Sequence, residues 1–380
     1  MVYSQKTSNM NKKTFIILFL LSLFIVGKSA PTNEDSRITR IDMNKYQRIS
    51  FDSLVEDLSC IKLKNSSFKY CINLIPYKNN FYIMGASIAG RNVSIYDKSG
   101  KSIKEITLPD AILVNSMCIV PELEELWVTS RFKVINKYKL NGTLSKRVSL
   151  PFPCATVMPL GRQEFLIYSG GANAPKGNIQ GHFMALTDFK SIQKLFLPKI
   201  GHREFPFAPY TLYTKDADRL YIFPDNIDTI YSCNFRKREV SPLYALDFHG
   251  DFLTKEKQPN GDREMNDIIV NRKYIYNQYS FYQASNKLFF KLTGKREDFC
   301  MINLKNHSLC SFDRLFNDFK PNDINPIVGS DGRNLYVLAR TKDLLEHYQN
   351  IKCTYPSIRK LLSSSSKDED SWILISIKIK

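Results

Sequence analysis

Tryptophan is scarce in this chain: two residues, against 25 phenylalanines and 20 tyrosines. Its eight cysteines, Cys60, Cys71, Cys118, Cys154, Cys233, Cys300, Cys310 and Cys353, include no C-x-x-C pair, which speaks against a zinc site. The glycine-rich stretch Gly170–Asn178 lacks the GxxxxGK[ST] spacing that cradles phosphates and opens no helical pattern. No DxDxDG calcium loop is present. The histidines, His182, His202, His249, His307 and His347, are dispersed, so no ligand set or acid–base cluster is visible in linear order. No cofactor and no metal are expected. Acidic residues are also short, 37 against 54 Lys+Arg.

One long apolar run exists, Phe15–Val26. It is shorter than the roughly 20 residues that span a bilayer, follows Lys6, Lys12 and Lys13, and has no acid around it. Residues 1–30 therefore read as a secretory signal peptide, with cleavage expected near Ser29 or Ala30; either Met1 or Met10 serves as the start. Four of the 54 basic residues and none of the acids lie there, so the remainder keeps a formal +13. In an exported protein that excess points to an anionic ligand, a glycan or an envelope protein rather than nucleic acid. Lysines scattered over outer strands for solubility would produce the same count. The first cysteine after the apolar run is Cys60, which argues against a lipid anchor. Periplasmic or extracellular location is the expectation, for a monomer that is not an integral membrane protein after cleavage.

The rest of the chain repeats itself. Phe81–Met84, Asn92–Gly100 and Ile103–Pro109 are followed by Leu126–Thr129, Val134–Gly142 and Arg147–Pro151. Tyr96 to Tyr138, Gly100 to Gly142 and Pro109 to Pro151 are each 42 residues apart. Ser-Gly and Asn-Gly supply the positive φ of a tight hairpin, and proline ends the strand beyond it. Leu220–Phe252 shows the unit compactly: Leu220–Phe223 is a buried run ending at Pro224-Asp225-Asn226, Thr229–Phe235 alternates, and Leu243–Phe248 stops before Gly250. Units at Phe165–Pro198, Tyr274–Ile302 and Leu335–Ile377 bring the total to six, the last interrupted by Asp343–Ser366, where a short helix over Asp343–His347 and a loop over Ser363–Ser366 are expected. Sheets this small cannot bury two faces alone and must stack on neighbours. The pattern predicts an all-β six-bladed β-propeller of four-stranded antiparallel blades over 51–380, after a lead-in at 31–50. A ring has to be sealed, and pairing Ser59–Leu63 with Trp372–Ile379 would do it.

Phe51–Asp57 leading into Ile61–Leu63, the Ile95–Lys101 hairpin, Asp228–Tyr231 with Pro242–Phe248, and Ser371–Ile375 together resemble the exported six-bladed β-propeller family common in Bacteroidetes, whose repeats are NHL-like. The resemblance spans nearly the whole mature chain. It implies fold and export, and no particular activity.

Function is therefore sought in loops at one end of the central channel, where propellers gather ligand contacts. Asn173, Lys176 and Asn178 in the Ser169–Gln180 insertion, His202, Arg203 and Glu204 between the third and fourth blades, and Arg131 past the first strand of blade two are the candidates. Arg203 would hold an anion, and His202 or Glu204 would act as acid or base; a polar connecting loop reads the same way. His249 beside Asp247 reads as a strand end. No catalytic residue is assigned. The expectation is a ligand- or protein-binding module; the alternative is a propeller hydrolase or lyase acting on an anionic or glycan substrate at the channel mouth. Cys300 and Cys310 flank a hairpin around Lys305-Asn306 and would form a disulfide if they face each other.

Overall fold

The computed structural model describes residues 38–87, 90–108, 114–169, 179–198, 211–216, 218–224, 227–254, 257, 262–312, 327–348, 355–365 and 371–380. Three strands, β1 (Thr39–Asp42), β2 (Gln47–Arg48) and β3 (Val55–Leu63), precede the first blade. Blade one is β4–β7 (Tyr70–Tyr77, Asn80–Ser87, Gly90–Asp97, Ser102–Thr107). Blade two is β8–β11 (Val114–Val120, Glu125–Ser130, Val134–Lys139, Leu144–Ser149). Blade three is β12–β15 (Thr156–Gly161, Glu164–Tyr168, His182–Thr187, Ile192–Pro198), and blade four is β16–β19 (Tyr213–Lys215, Arg219–Ile222, Thr229–Asn234, Glu239–Asp247). Blade five is β20–β23 (Ile275–Ala284, Lys287–Gly294, Phe299–Asn303, Leu309–Phe312); blade six joins β24–β26 (Gly329–Ser330, Asn334–Arg340, Trp372–Ile379) to β3.

The apolar runs in the sequence are the second strands of the blades. Leu126-Trp127-Val128 and Leu288-Phe289-Phe290 are buried on both faces, so a sheet that normally alternates reads as continuous apolar residues there. Each face meets a neighbouring blade. Val128 and Leu126 pack with Ile95 and Val93 between blades one and two, while Trp127 packs with Phe165 and Ile167 between blades two and three. Six such cores occupy the six joints, and stability resides between the blades rather than within them.

The 42-residue landmarks have a physical origin. At the hairpin between β6 and β7, Asp97 Oδ1 accepts from the Ser99 and Lys101 amides at 2.8 and 3.0 Å, and Gly100 takes φ +80°. A Cβ at Gly100 would lie 2.1 Å from the Lys62 carbonyl oxygen of the neighbouring blade, so the position excludes any side chain twice over. The equivalent hairpins use Asn141, Asp188, Asn234 and Asn303 as acceptors for backbone amides.

Closure follows the expected pairing, with Trp372 opposite Leu63 and Ile375 opposite Cys60. The expected lead-in does more than precede the ring. β1 pairs parallel with β19 and β2 with β23, so blades four and five carry a fifth strand, and the compact unit starts at Thr39. Residues 39–63 thus form a belt along the outer edges of blades four, five and six, covering open strand edges. Phe51, 1% exposed, fixes the belt between Phe312 and Phe289, with centroids 5.1 and 6.4 Å away. Arg296 donates to the Met43 carbonyl at 2.7 Å, lies over the Tyr46 ring and pairs with Asp298 at 2.8 Å.

Two sequence readings change. The insertion in blade six holds the expected short helix, α2 here (Thr341–Tyr348), but also α3 (Pro356–Ser363), where Ser363 ends a helix rather than opening a loop. Pro356 starts it, and Ile358, Leu361 and Leu362 at helical spacing pack on the blade five–six core. A further helix, α1 (Asp262–Val270), packs Met265 and Ile268 against Leu253 and Tyr276. The second change is the disulfide. Cys300 sits opposite Ser311 and Cys310 opposite Met301, so the two thiols project from opposite faces of blade five into different cores. Both are free.

The belt should be sensitive to truncation at its anchor. Phe51→Ala is expected to cost about 3–5 kcal/mol, read as a lower denaturant midpoint. The belt's tie to blade four should also depend on pH. His249 Nε2 lies 2.8 Å from Asp42 Oδ1, with Asp247 and Lys45 as the other charges facing the pair. The bond to Asp42 raises the His249 pKa above 6.5, and the bond from His249 lowers Asp42 from 3.8 to about 2. The histidine contribution is complete below pH 6.5 and disappears as pH rises through its raised pKa; the aspartate contribution is complete above 3.8 and disappears toward 2. Intrinsic-rate-corrected hydrogen-exchange protection of the β1 amides should therefore be highest between those limits, and His249→Ala should flatten the profile.

Candidate functional site

Within each blade the first strand is the innermost, and the six first strands line a central channel. Hydroxyl-to-backbone bonds join them between blades two and three, four and five, and five and six. Ser116 Oγ donates to the Ala155 carbonyl at 2.9 Å, the Phe281 and Gln283 amides donate to Thr211 and Thr214 Oγ1 at 3.1 and 2.9 Å, and Ser280 Oγ donates to the Ile327 carbonyl at 2.9 Å. Between blades six and one the link is backbone to backbone, Leu74 N to the Val328 carbonyl at 2.7 Å. The strands approach so closely there that a Cβ at Gly329 would lie 2.4 Å from the Leu74 carbonyl oxygen.

These strands enclose a cavity of about 240 Å³ that receives residues from all six blades. Its wall is mixed, with more apolar than polar surface. Asn73, Ser116, Thr156, Thr211, Thr214 and Ser330 contribute polar groups, and Tyr77, Tyr213 and Tyr282 contribute rings. Tyr282 OH reaches Asn73 Oδ1 at 3.4 Å. Burial pushes the Tyr213 and Tyr282 hydroxyls well above their usual pKa of 10, so both remain neutral donors. Two charged residues, Lys215 and Asp331, lie on the wall, each just beyond or at the end of its strand, near the tight turns joining first to second strands.

Asp331 is already committed. Its carboxylate accepts from the Asn334 amide at 2.7 Å, the Arg333 amide at 3.0 Å, Asn334 Nδ2 at 2.9 Å and Tyr336 OH at 2.7 Å. Burial alone would raise its pKa, but these donors outweigh it and hold the group below the ordinary aspartate value. Asp331 therefore builds the turn and offers no proton. Lys215 is exposed.

The predicted loop residues lie elsewhere. Arg131 is exposed on the turn between β9 and β10, at φ +51°. That turn belongs to the opposite end of the channel, where second strands meet third strands and each blade passes to the next. The strand ends flanking 170–178 and 199–210 open on the same end. Asn173, Lys176, Asn178, His202, Arg203 and Glu204 themselves lie outside the described residues. His182 contacts the Gln180 carbonyl, His249 contacts Asp42 and His307 contacts Tyr244 OH, so none of these three lines the cavity. Among the described residues no group of three or more His, Cys, Asp or Glu side chains comes together, and no helix is long and apolar enough to cross a membrane. The cavity wall itself was missed in the sequence because the first strands share no common length, from two residues in β24 to ten in β20, and carry isolated polar residues such as Asn73, Ser116 and Thr156. Its signal is Ser, Thr or Asn recurring just before each apolar second strand.

The crystal structure of a Bacteroides fragilis protein described as exported superposes with a TM-score of 0.70 at 18% identity, covering 90% of this chain and 99% of that one. The WD40 domain of Neurospora crassa Pan2 superposes more loosely, with a TM-score of 0.41 at 8% identity, over 87% of this chain and 97% of that one. No curated protein matches. A family model described as a 6-bladed beta-propeller, DUF5128, matches residues 28–337, and the chain belongs to that family.

Removing the close approach at Gly329 tests the joint that brings blade six to blade one. Gly329→Ala should lower the thermal midpoint through its clash with Leu74, whereas Gly332→Ala, whose Cβ would stay 3.6 Å from its nearest neighbour, probes only the φ +87° strain of the adjoining turn.

Proposed function

We propose that this is an exported binding module that takes the end group of an acidic glycan into its channel. Export rests on the basic N-terminal segment with its short apolar run. The observation that carries the binding reading is the convergence of all six blades on one cavity of about 240 Å³ whose wall combines apolar surface with hydroxyl and amide groups. That volume is below the roughly 300–1,000 Å³ of pockets for drug-sized ligands and suits one sugar ring or the tip of a longer chain. Tyrosine faces match the apolar faces of a sugar ring, Ser, Thr and Asn groups match its hydroxyls, and Lys215 gives a carboxylate its counter-charge. The loops beyond Arg131 at the other end of the channel are proposed as a second contact surface for the same anionic ligand or for an envelope protein. A hydrolase or lyase reading gains nothing from the cavity wall, since its carboxylate, Asp331, is held in its own turn.

The test is affinity for a uronic-acid oligosaccharide against its neutral counterpart, measured by calorimetry on the mature protein. The acidic ligand should bind more tightly. Lys215→Ala should remove that preference, a loss of about tenfold, and Tyr213→Phe should weaken both ligands. Equal binding of both ligands by wild type and Lys215→Ala contradicts the reading. Separately, N-terminal sequencing of protein recovered outside the cytoplasm should begin just after Ser29 or Ala30.

A further inference from the structure

Blade two carries a charge arrangement that its own packing does not explain. Lys137 of β10 and Lys146 of β11 are direct cross-strand partners, and Trp127 of β9 is the partner of Lys137 on its other side. Direct partners share a face, so the three side chains lie on one surface of the blade. Two residues along, Ile135 opposite Val148 marks that surface as the one packed on blade three, where Trp127 also contributes to the core. The Lys137 ammonium lies 3.7 Å from the centre of the Trp127 ring. That ring is held by Phe165 at 4.8 Å and Phe189 at 5.7 Å, so the platform is fixed. The nearest acid of this strand group, Glu125, is engaged by Trp127 Nε1 at 2.7 Å. Neither Lys137 nor Lys146 forms an ion pair among the described residues.

Like charges directly opposite one another destabilise a strand pair. Protection of the outer edge strand accounts for an exposed lysine at position 146. It does not account for a half-buried lysine in the seam, where burial lowers the Lys137 pKa, Glu125 opposes it, and the Lys146 charge adds a smaller lowering. An oxyanion between the two ammonium groups would relieve the repulsion and receive charge-assisted hydrogen bonds from both. The site is on the outside of the ring and independent of the channel.

We propose that the outer seam between blades two and three, formed by Lys137 and Lys146 over Trp127, binds a phosphate or sulfate group, as the free ion or as an ester. The variants are Lys146→Thr, which keeps a strand-forming residue at the edge, and Lys137→Met, which keeps the aliphatic packing on Trp127. Thermal midpoints are measured in chloride, sulfate and phosphate at equal ionic strength, and with a sulfated oligosaccharide against its desulfated form. Wild type should be raised by the oxyanions beyond chloride. Lys146→Thr should start from a higher midpoint in chloride and lose the oxyanion-specific rise, and Lys137→Met should lose that rise as well. A sulfated oligosaccharide that acts at lower concentration than sulfate identifies the ester; equal potency identifies the free ion. The proposal is overturned if wild type responds to oxyanions no more than to chloride, or if both variants keep the full oxyanion-specific rise.

Discussion

Closure of the ring is the constraint on which the other features depend. Every blade buries both faces against neighbours, so two unsealed edges would expose two apolar sheet faces together. The seal is the antiparallel pairing of β3 with β26, reinforced by Trp372, which stacks on Phe68 at 5.5 Å, donates to the Phe68 carbonyl at 3.1 Å and carries Arg340 over its face at 4.2 Å. Residues 39–54, which lead into the closing strand, run along the edges of blades four and five. They pair there as two short parallel strands, and the belt adds burial at Phe51 and Met43. α3 completes it, with Ser357 Oγ donating to the Leu58 carbonyl at 2.8 Å.

The repeat was legible because its punctuation is chemical. Asp97, Asn141, Asn234 and Asn303 hold hairpin amides at equivalent places, and Gly100 and Gly142 take positive φ. The apolar second strands were legible because they are buried on both sides. The first strands were harder to read, since channel-facing polar residues such as Asn73, Ser116 and Thr156 interrupt their apolar pattern, and β16 and β24 are only three and two residues long. β2 was hidden for a similar reason: Gln47-Arg48 has no apolar face, and backbone pairing with β23 alone defines it. The Cys300–Cys310 pairing failed because spacing around a hairpin does not reveal register, and a one-residue offset sends the second thiol to the other face.

The same division separates structure from chemistry. Apolar residues of the second and third strands build the joints, while polar residues of the first strands have two tasks, linking adjacent blades and lining the cavity. Thr211 and Thr214 do both, since each hydroxyl oxygen accepts a backbone amide of blade five and its residue borders the cavity. Asp331 borders the cavity, but its carboxylate is spent on its own turn within blade six. Tyr213 and Lys215 are the wall groups on which the proposed recognition rests. Of the loop candidates read from the sequence, Arg131 stands at the opposite end of the channel.

The most direct test of recognition inside the channel is fluorine NMR of fluorotyrosine-labelled protein, with resonances assigned by single Tyr→Phe replacements, during titration with a uronic-acid oligosaccharide. The account predicts that Tyr213, Tyr282 and Tyr77 shift together with saturation, while the exposed Tyr70 stays still. Saturable binding that leaves all three channel tyrosines unmoved would contradict it.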